Sequence, residues 1–285
     1  HFGYLEGLNF VYLGDGRNNM ANSLMIGCAK VGVNFAIIAP KELWPDESLV
    51  ELCKEYAEES GVSLTITDSV GGGTIKPQGS SSAQGLVVWV RYGSFTMYGG
   101  TLDASDATAK YHGVAVQVPK NAYFYMNGGT IIGGTTNGGG AIYANNGTLN
   151  LTRVTMDGNS SGYYGGTIRA DACDTVIKES SILNSSGGTG GAFYASSGTL
   201  QADQLTLTGN KATLNGVIYL TCKEATLSNV TAFGNNAVYG GVLYASTNSS
   251  VTVKNANLNG NSANSGGAVY VAGNATVSIC DSVLN

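Results

Sequence analysis

A short loop near the N-terminus has residue types that could hold a small charged ligand. The loop spans residues 14–19, GDGRNN, and lies between an apolar segment, LNFVYL, and a stripe of apolar residues at helical spacing. A helix N-terminus presents N–H donors and a positive dipole end to an anion. Asparagine amides both donate and accept hydrogen bonds, so Asn18 and Asn19 could hold a zwitterion. The alternative is that both asparagines only cap the helix.

A dinucleotide site is a weaker interpretation of the same loop. The GxGxxG pattern requires glycine where this chain has Asn19. The second predicted strand should end in an acidic residue that binds ribose, but it ends at Ala39-Pro40. We therefore predict that the chain uses no cofactor.

A second candidate surface is a series of side chains that recurs every 25 or 26 residues. Its members are Tyr143, Tyr194, Tyr219, Tyr244 and Tyr270, with Arg169 in one of the places. An outward-facing aromatic ladder could bind glycans by stacking on sugar faces. The alternative is that the rings stack on one another and contribute only to stability.

The other polar residues give weak indications of catalysis. Polysaccharide cleavage requires clustered carboxylates. The close acidic pairs after residue 84 are Asp103/Asp106 and Asp171/Asp174, and we predict that both lie in turns. His112 stands in place of a corner glycine, and we expect it at the surface. Five widely spaced cysteines fit neither a zinc site nor a disulfide framework, so we predict no catalytic and no metal-binding residues.

The composition divides the 285 residues into two parts. Residues 1–70 hold ten acidic and four basic side chains, and 7 of the 42 glycines. The remainder holds nine acidic and ten basic side chains. The acidic balance argues against a nucleic-acid partner, and no apolar run is long enough to predict a transmembrane helix. We predict an α/β segment over 1–70, a Gly/Ser-rich junction over 71–84 and a repeat region over 85–285.

The first part has the pattern of a partial doubly wound sheet. LNFVYL, NFAIIA and VSLTIT are predicted strands, and the two stretches between them have helical periodicity. Ser48 and Glu51 could form a capping box for the second helix, and Gly61 could end it. Since this β-α-β-α-β order is only half of such a sheet, we expect Leu24, Ile37 and Ile38 to be poorly buried.

These 70 residues resemble the ornithine-binding domain of ornithine carbamoyltransferases. The segments GDGRNNMANSLM and APKELWPDE carry the resemblance. It implies that ornithine is the ligand, that Asn19 contacts it, and that Asn18 and Asp15 shape the loop. That family transfers a carbamoyl group from carbamoyl phosphate to the δ-amine of ornithine. Its Ser-Thr-Arg-Thr-Arg, Asp-x-Trp-x-Ser-Met-Gly and His-Cys-Leu-Pro motifs do not occur in this sequence, so we expect no carbamoyl transfer from this chain alone.

The second part repeats a glycine-led pattern at spacings of 25 to 28 residues. An apolar residue lies two positions after each later glycine, and we predict that these residues stack inward: Ile142, Ile168, Phe193, Ile218, Leu243 and Val269. A period near 25, with alternating segments and Gly-Asn corners, is typical of coiled parallel β-structure. The predicted fold class is therefore mostly β: a right-handed parallel β-helix of about eight turns, preceded by a partial Rossmann-like segment.

The motifs GGGAIY, GGAFY, GGVLY and GGAVY resemble the GGAI-type repeats of surface and adhesin-like β-helix proteins, such as chlamydial polymorphic membrane proteins. This resemblance implies a secreted or cell-surface location, whereas residues 1–70 imply the cytoplasm, and no signal peptide is visible. We predict a non-catalytic, adhesin-like repeat scaffold joined to an incomplete amino-acid-binding segment, with both ends truncated. One alternative is an ornithine carbamoyltransferase that is active only with a carbamoyl-phosphate domain supplied elsewhere. A second alternative is a polysaccharide-binding or polysaccharide-cleaving repeat.

Overall fold

The chain forms two compact units. The computed structural model describes residues 5–67, 73–76, 86–109 and 113–284. The first unit contains the chain up to Gly73 together with Thr96–Gly100, and the second contains Thr74–Phe95 together with the chain from Thr101 onward. Most of the predicted junction over 71–84 lies outside the described residues, as does His112. Among the described residues, no helix has the length and apolar character needed to span a membrane.

The first unit is a three-stranded parallel sheet with two α-helices. Its elements are β1 (Asn9–Leu13), α1 (Asn19–Lys30), β2 (Asn34–Ile38), α2 (Glu47–Ser60) and β3 (Leu64–Thr67), with a 3-10 turn at Lys41–Leu43. The strand order is β1-β2-β3, and the first two strands pair with Asn9 opposite Asn34. The β-α-β-α-β order expected from the sequence is therefore present.

The helix ends follow local sequence signals, with one exception. Asn18 is the N-cap of α1, and Gly61 ends α2 with a φ of 75°, in the left-handed region that glycine tolerates. The predicted Ser48/Glu51 capping box does not form. Asp46 caps α2 instead by accepting a hydrogen bond of 3.0 Å from the Ser48 backbone N–H.

Both helices and the central strand of the first unit share one apolar core. Met25 of α1, Phe35 and Ile37 of β2 and Cys53 of α2 are all buried in it. The expectation that Leu24, Ile37 and Ile38 would be poorly buried is wrong for Ile37 and Ile38, which are only 0% and 3% exposed, whereas Leu24 is half-buried. Burial of the central strand therefore does not require the rest of a doubly wound sheet.

The second unit consists of short parallel strands. In chain order they are β4 (Thr74–Ile75), β5 (Val88–Trp89), β6 (Gly93–Met97), β7 (Thr101–Asp103), β8 (Thr108–Ala109), β9 (Val116–Val118), β10 (Ala122–Ile132), β11 (Thr135–Thr136), β12 (Ile142–Asn145), β13 (Thr148–Asp157), β14 (Ser160–Ser161), β15 (Ile168–Asp171), β16 (Asp174–Leu183), β17 (Ser186–Gly187), β18 (Phe193–Ser196), β19 (Thr199–Thr208), β20 (Lys211–Ala212), β21 (Ile218–Thr221), β22 (Glu224–Ser228), β23 (Thr231–Phe233), β24 (Asn236–Tyr239), β25 (Leu243–Ala245), β26 (Ser250–Lys254), β27 (Ser262–Ser265), β28 (Val269–Val271) and β29 (Thr276–Cys280).

These strands form three separate parallel sheets. One follows the order β29-β26-β22-β19-β16-β13-β10-β7-β4, with β23 and β6 paired beside that path. The other two follow β27-β24-β20-β17-β14-β11-β8 and β28-β25-β21-β18-β15-β12-β9-β5. Each sheet thus gains one strand with each repeat of the sequence.

The 25-residue period sets the register between successive strands. Ile168 lies opposite Phe193, which in turn lies opposite Ile218. The residues predicted to stack inward are buried from Ile142 through Leu243, whereas Val269 is half-buried. In-register stacking of identical positions places apolar side chains against one another along the repeats.

The fold class predicted from the sequence needs correction. The prediction was a mostly β chain built as a right-handed parallel β-helix. The structure is a parallel α/β fold with four separate parallel sheets and two α-helices, and within the described residues no sheet closes on itself. The physical reason is that a repeat period fixes which residues pair between successive strands. It carries no information on how the resulting sheets are joined or on the class of the whole chain.

Candidate amino-acid-binding site

The loop between β1 and α1 is held at the carboxyl end of the parallel sheet. The Gly14 N–H donates to the carbonyl of Ile38 at 3.3 Å, and the Gly16 N–H donates to the carbonyl of Leu43 at 2.8 Å. Gly16 is buried, and a Cβ there would lie 2.9 Å from the Leu43 carbonyl oxygen. Backbone contacts on both sides therefore fix the path of the loop before the helix begins.

Asn18 uses its whole amide inside this loop. Its Oδ1 accepts from the Ala21 N–H at 2.9 Å, which caps α1. Its Nδ2 donates to the hydroxyl of Tyr12 at 2.7 Å and to the carbonyl of Asp15 at 2.6 Å. Capping and positioning are thus what Asn18 does in this structure.

Asp15 and Arg17 form an exposed pair at the outer side of the loop. The Asp15 carboxylate accepts from the Arg17 backbone N–H at 2.9 Å and from its guanidinium Nε at 3.2 Å. These hydrogen bonds lower the pKa of Asp15 below its ordinary value. An exposed ion pair of this kind contributes little to stability, so its main effect is on the shape of the loop.

Asn19 differs from its neighbours because its side chain is available. It is the first residue of α1 and is exposed. Within the described part of the chain, the Asn19 side chain makes no hydrogen bond. An amide beside the N-terminal end of a helix can accept from an ammonium group while the helix end attracts a carboxylate. The loop therefore presents one free amide beside a capped helix end.

Sequence reasoning missed Tyr12 as part of this loop. Its side chain packs against the core of the first unit while its hydroxyl reaches Asn18. The available signal was a tyrosine two residues before Gly14, among the apolar residues Phe10, Val11 and Leu13 of β1.

Four members of the predicted tyrosine series, from Tyr194 to Tyr270, form a continuous stack in the second unit. The ring centroids of Tyr194 and Tyr219 are 5.3 Å apart at an interplanar angle of 5°. Tyr219 and Tyr244 follow at 5.2 Å, and Tyr244 and Tyr270 at 5.1 Å. We call these four residues, with Arg169 and Tyr143, the tyrosine ladder. The ring faces within the ladder contact neighbouring rings, and the Tyr143 hydroxyl accepts a hydrogen bond from Asn145 Nδ2 at 2.9 Å.

Arg169 continues the ladder toward lower residue numbers. It pairs in register with Tyr143 and Tyr194, and its guanidinium lies 5.1 Å from the centroid of the Tyr143 ring. Its Nε donates to Asp171 at 2.8 Å. A planar guanidinium stacks on aromatic faces, so arginine fits the place that a tyrosine ring would otherwise fill.

The prediction that both acidic pairs lie in turns is wrong for three of the four residues: Asp106 lies in a turn, but Asp103 and Asp171 end strands β7 and β15, and Asp174 begins β16. Burial raises the pKa of Asp103, but hydrogen bonds from Lys76 and Ser105 outweigh that effect and lower it to about 2. Asp174 accepts from the Thr199 hydroxyl at 2.8 Å. Among the described residues, no group of three His, Cys, Asp or Glu side chains could hold a metal ion.

Comparison with known proteins accounts for the first unit. Residues 6–72 match the Asp/Orn-binding domain of aspartate/ornithine carbamoyltransferases. The chain is 58% identical over 73 residues to a catabolic ornithine carbamoyltransferase of Enterococcus faecalis, covering 26% of this chain and 22% of that protein. It is 53% identical to the catabolic ornithine carbamoyltransferase of Treponema denticola, with the same coverage. An ornithine carbamoyltransferase of Caldanaerobacter subterraneus is 51% identical over 72 residues, or 25% of this chain and 23% of its own length.

The chain therefore spans about a fifth of the length of these curated ornithine carbamoyltransferases. The loop at residues 14–19 lies inside the matched domain, whose description names aspartate or ornithine as the ligand.

The comparisons also correct the predicted function. The main prediction was a non-catalytic, adhesin-like β-helix scaffold at the cell surface, based on the GGAI-type motifs. The matches instead concern ornithine carbamoyltransferases, and nothing in them supports an adhesin, a cell-surface location or a parallel β-helix. The motifs misled because they encode glycine corners and stacked apolar positions, which specify backbone geometry and not a binding activity.

Proposed function

We propose that the first unit binds ornithine at the β1–α1 loop. Asn19 contacts the amino acid, whereas Asn18 and Asp15 shape the loop around it. The observation that carries this proposal is the free, exposed amide of Asn19 at the start of α1, inside the segment that matches an Asp/Orn-binding domain.

The chemistry of the loop suits an α-amino acid. The Asn19 Oδ1 can accept from the ligand ammonium, and its Nδ2 can donate to the ligand carboxylate. The N-terminal end of α1 has no acidic residue in its first turn, so its positive dipole end is not compensated there. A zwitterion offers both an ammonium group for the Asn19 Oδ1 and a carboxylate for the helix end, whereas a simple diamine offers only the ammonium group.

We propose further that carbamoyl transfer to ornithine requires a carbamoyl-phosphate-binding part that residues 1–285 do not supply. A dianionic phosphate and a developing oxyanion need several arginines or helix-end donors. Residues 1–70 contain one arginine, Arg17, and it is paired with Asp15. In this proposal the first unit supplies the amino-acid site, and the phosphate site lies outside residues 1–70.

Titration calorimetry of the full chain with ornithine tests the binding proposal. We expect saturable binding that weakens about 10-fold or more in Asn19→Ala, since hydrogen bonds to charged groups contribute about 1.5–3 kcal/mol. Ser23→Ala is the matched control, because Ser23 is an exposed α1 residue beyond the first turn. Equal affinities for the wild type and Asn19→Ala would exclude Asn19 as the contact, and the absence of binding would exclude the site.

We also propose a glycan contact on the tyrosine ladder. Tyrosine hydroxyls are protonated at neutral pH, and burial raises the pKa of Tyr194, Tyr219 and Tyr244 further above the ordinary value. They can then donate to sugar hydroxyls, one per repeat. A cavity of about 360 Å³ lined by Gln117, Lys120 and Asn145 lies beside Tyr143 at the low-numbered end of the ladder.

Binding to a panel of immobilised neutral and acidic polysaccharides tests the glycan contact. We expect Tyr219→Phe, which keeps the ring and removes the hydroxyl, to reduce retention by about 5-fold, the effect of one ordinary hydrogen bond. Tyr92→Phe is the control, because Tyr92 is 79% exposed and lies outside the ladder. Unchanged retention in Tyr219→Phe would reject the ladder as the contact surface.

A further inference from the structure

Tyr12 connects the end of a strand to the candidate amino-acid site. It is the fourth of the five residues of β1, and its ring packs against the core of the first unit. Its hydroxyl accepts from Asn18 Nδ2 at 2.7 Å. The ring lies beside Gly14, where an added Cβ would be 4.0 Å from the Tyr12 ring. The hydroxyl is thus held by the half-buried ring on one side and by the Asn18 amide on the other.

We propose that Tyr12 is a positioning residue for the amino-acid site. Its hydroxyl holds the Asn18 amide in the orientation that caps α1, and the cap fixes the backbone of the adjacent Asn19. This inference rests on the ornithine-binding function proposed above.

The hydrogen-bonding capacity of Asn18 explains why the hydroxyl matters. An asparagine amide has two donors on Nδ2 and an acceptor on Oδ1. In this loop Nδ2 donates to the Tyr12 hydroxyl and to the Asp15 carbonyl, while Oδ1 accepts from the Ala21 N–H. These partners fix which way the amide plane faces. Without the Tyr12 hydroxyl, the amide keeps one Nδ2 partner and can tilt away from Ala21.

Loss of the Tyr12 hydroxyl should affect the ligand contact at Asn19 more than the stability of the fold. Asn19 is the first residue of α1, directly after the cap, so its φ and ψ depend on the cap geometry. The helix itself continues for another eleven residues to Lys30 and packs on the core through Met25, Cys28 and Ala29. Loss of the Tyr12 hydroxyl should therefore disturb the first turn and leave the rest of α1 in place.

Calorimetric titration of the full chain with ornithine tests this role through Tyr12→Phe. We expect the dissociation constant to rise about 5- to 10-fold, which is the loss of affinity expected when one hydrogen bond is removed. Amide exchange of Ala21 should accelerate, while exchange of Met25 and Ala29 stays unchanged. Tyr56→Phe is the matched control. Among the described residues, Tyr56 is the second tyrosine that packs against this core; it lies on α2, and its ring centroid is 4.3 Å from Lys30 Nζ.

A double-variant cycle separates positioning from a general loss of stability. If Tyr12 acts through Asn18, Tyr12→Phe should have no further effect on ornithine affinity in an Asn18→Ala background. Additive effects, or an unchanged affinity in Tyr12→Phe alone, would overturn the inference while the wild type still binds ornithine. A wild type that does not bind ornithine would instead reject the proposed function itself.

Discussion

Replacing Gly241 with alanine is expected to lower the free energy of unfolding of the second unit by about 3 kcal/mol. A Cβ at Gly241 would lie 2.1 Å from the carbonyl oxygen of Gly267 and 2.9 Å from that of Ser262. Both contacts are with backbone atoms of the next repeat, so no flexible side chain can move away. Relief requires the strands to separate, which breaks ladder hydrogen bonds such as that from the Gly241 N–H to the Gly266 carbonyl at 3.2 Å.

Gly267 provides the matched control, because it occupies the same place one repeat later. An added Cβ there meets nothing within 4 Å. Gly267→Ala should change the unfolding free energy by less than about 0.5 kcal/mol. Urea denaturation of both variants, followed by circular dichroism, measures the difference. Equal midpoints for the two variants would show that close approach of the repeats does not explain the glycine at position 241.

Replacing Asn210 with alanine is expected to lower the free energy of unfolding of the second unit by about 2–4 kcal/mol, since it leaves several buried polar groups unpaired. Asn210 is fully buried. Its Oδ1 accepts from the Ser185 N–H at 2.9 Å, and its Nδ2 donates to the Ile182 carbonyl at 2.9 Å and to Asn235 Oδ1 at 3.0 Å. Buried groups that lose such partners cannot form replacement hydrogen bonds with water.

Asn236→Ala is the corresponding control on the surface. The Asn236 amide is exposed and donates to the hydroxyl of Ser262 at 2.8 Å. Water can replace that partner, so the free energy of unfolding of the variant should lie within about 0.5 kcal/mol of that of the wild type. The same urea series measures both asparagine variants. A loss in Asn210→Ala no larger than that in Asn236→Ala would mean that the buried amide contributes little to stability.

The two asparagine environments show where sequence reasoning reached its limit in the second unit. Gly-Asn pairs such as Gly209-Asn210 predicted corners, because glycine and asparagine tolerate left-handed backbone. The corner glycine does have a φ of 67°. The sequence pattern did not indicate that the asparagine side chain turns inward and joins the repeats before and after it. That contact depends on the separation of successive strands, which a local turn signal does not contain.

The amino-acid site shows the same limit. The GDGRNN segment predicted a loop before a helix and named Asn18, Asn19 and Asp15. The structure assigned them different tasks: Asn18 caps, Asp15 pairs with Arg17, and Asn19 stays exposed. Tyr12 was missed, because a tyrosine in an apolar strand carries no signal that its hydroxyl will meet the amide of a residue six positions later.

The sequence by itself determined the β-α-β-α-β order of the first unit and the 25-residue register of the second. Both follow from periodicity, which can be read directly along the chain. If each repeat adds one strand, Tyr194 and Tyr219 occupy equivalent positions and must lie next to each other. Only the tertiary structure decided that ring faces in the ladder are taken by neighbouring rings, that the parallel sheets are separate, and that Ile37 and Ile38 are buried. These features depend on distances between side chains from different elements, and no spacing along the chain encodes those distances.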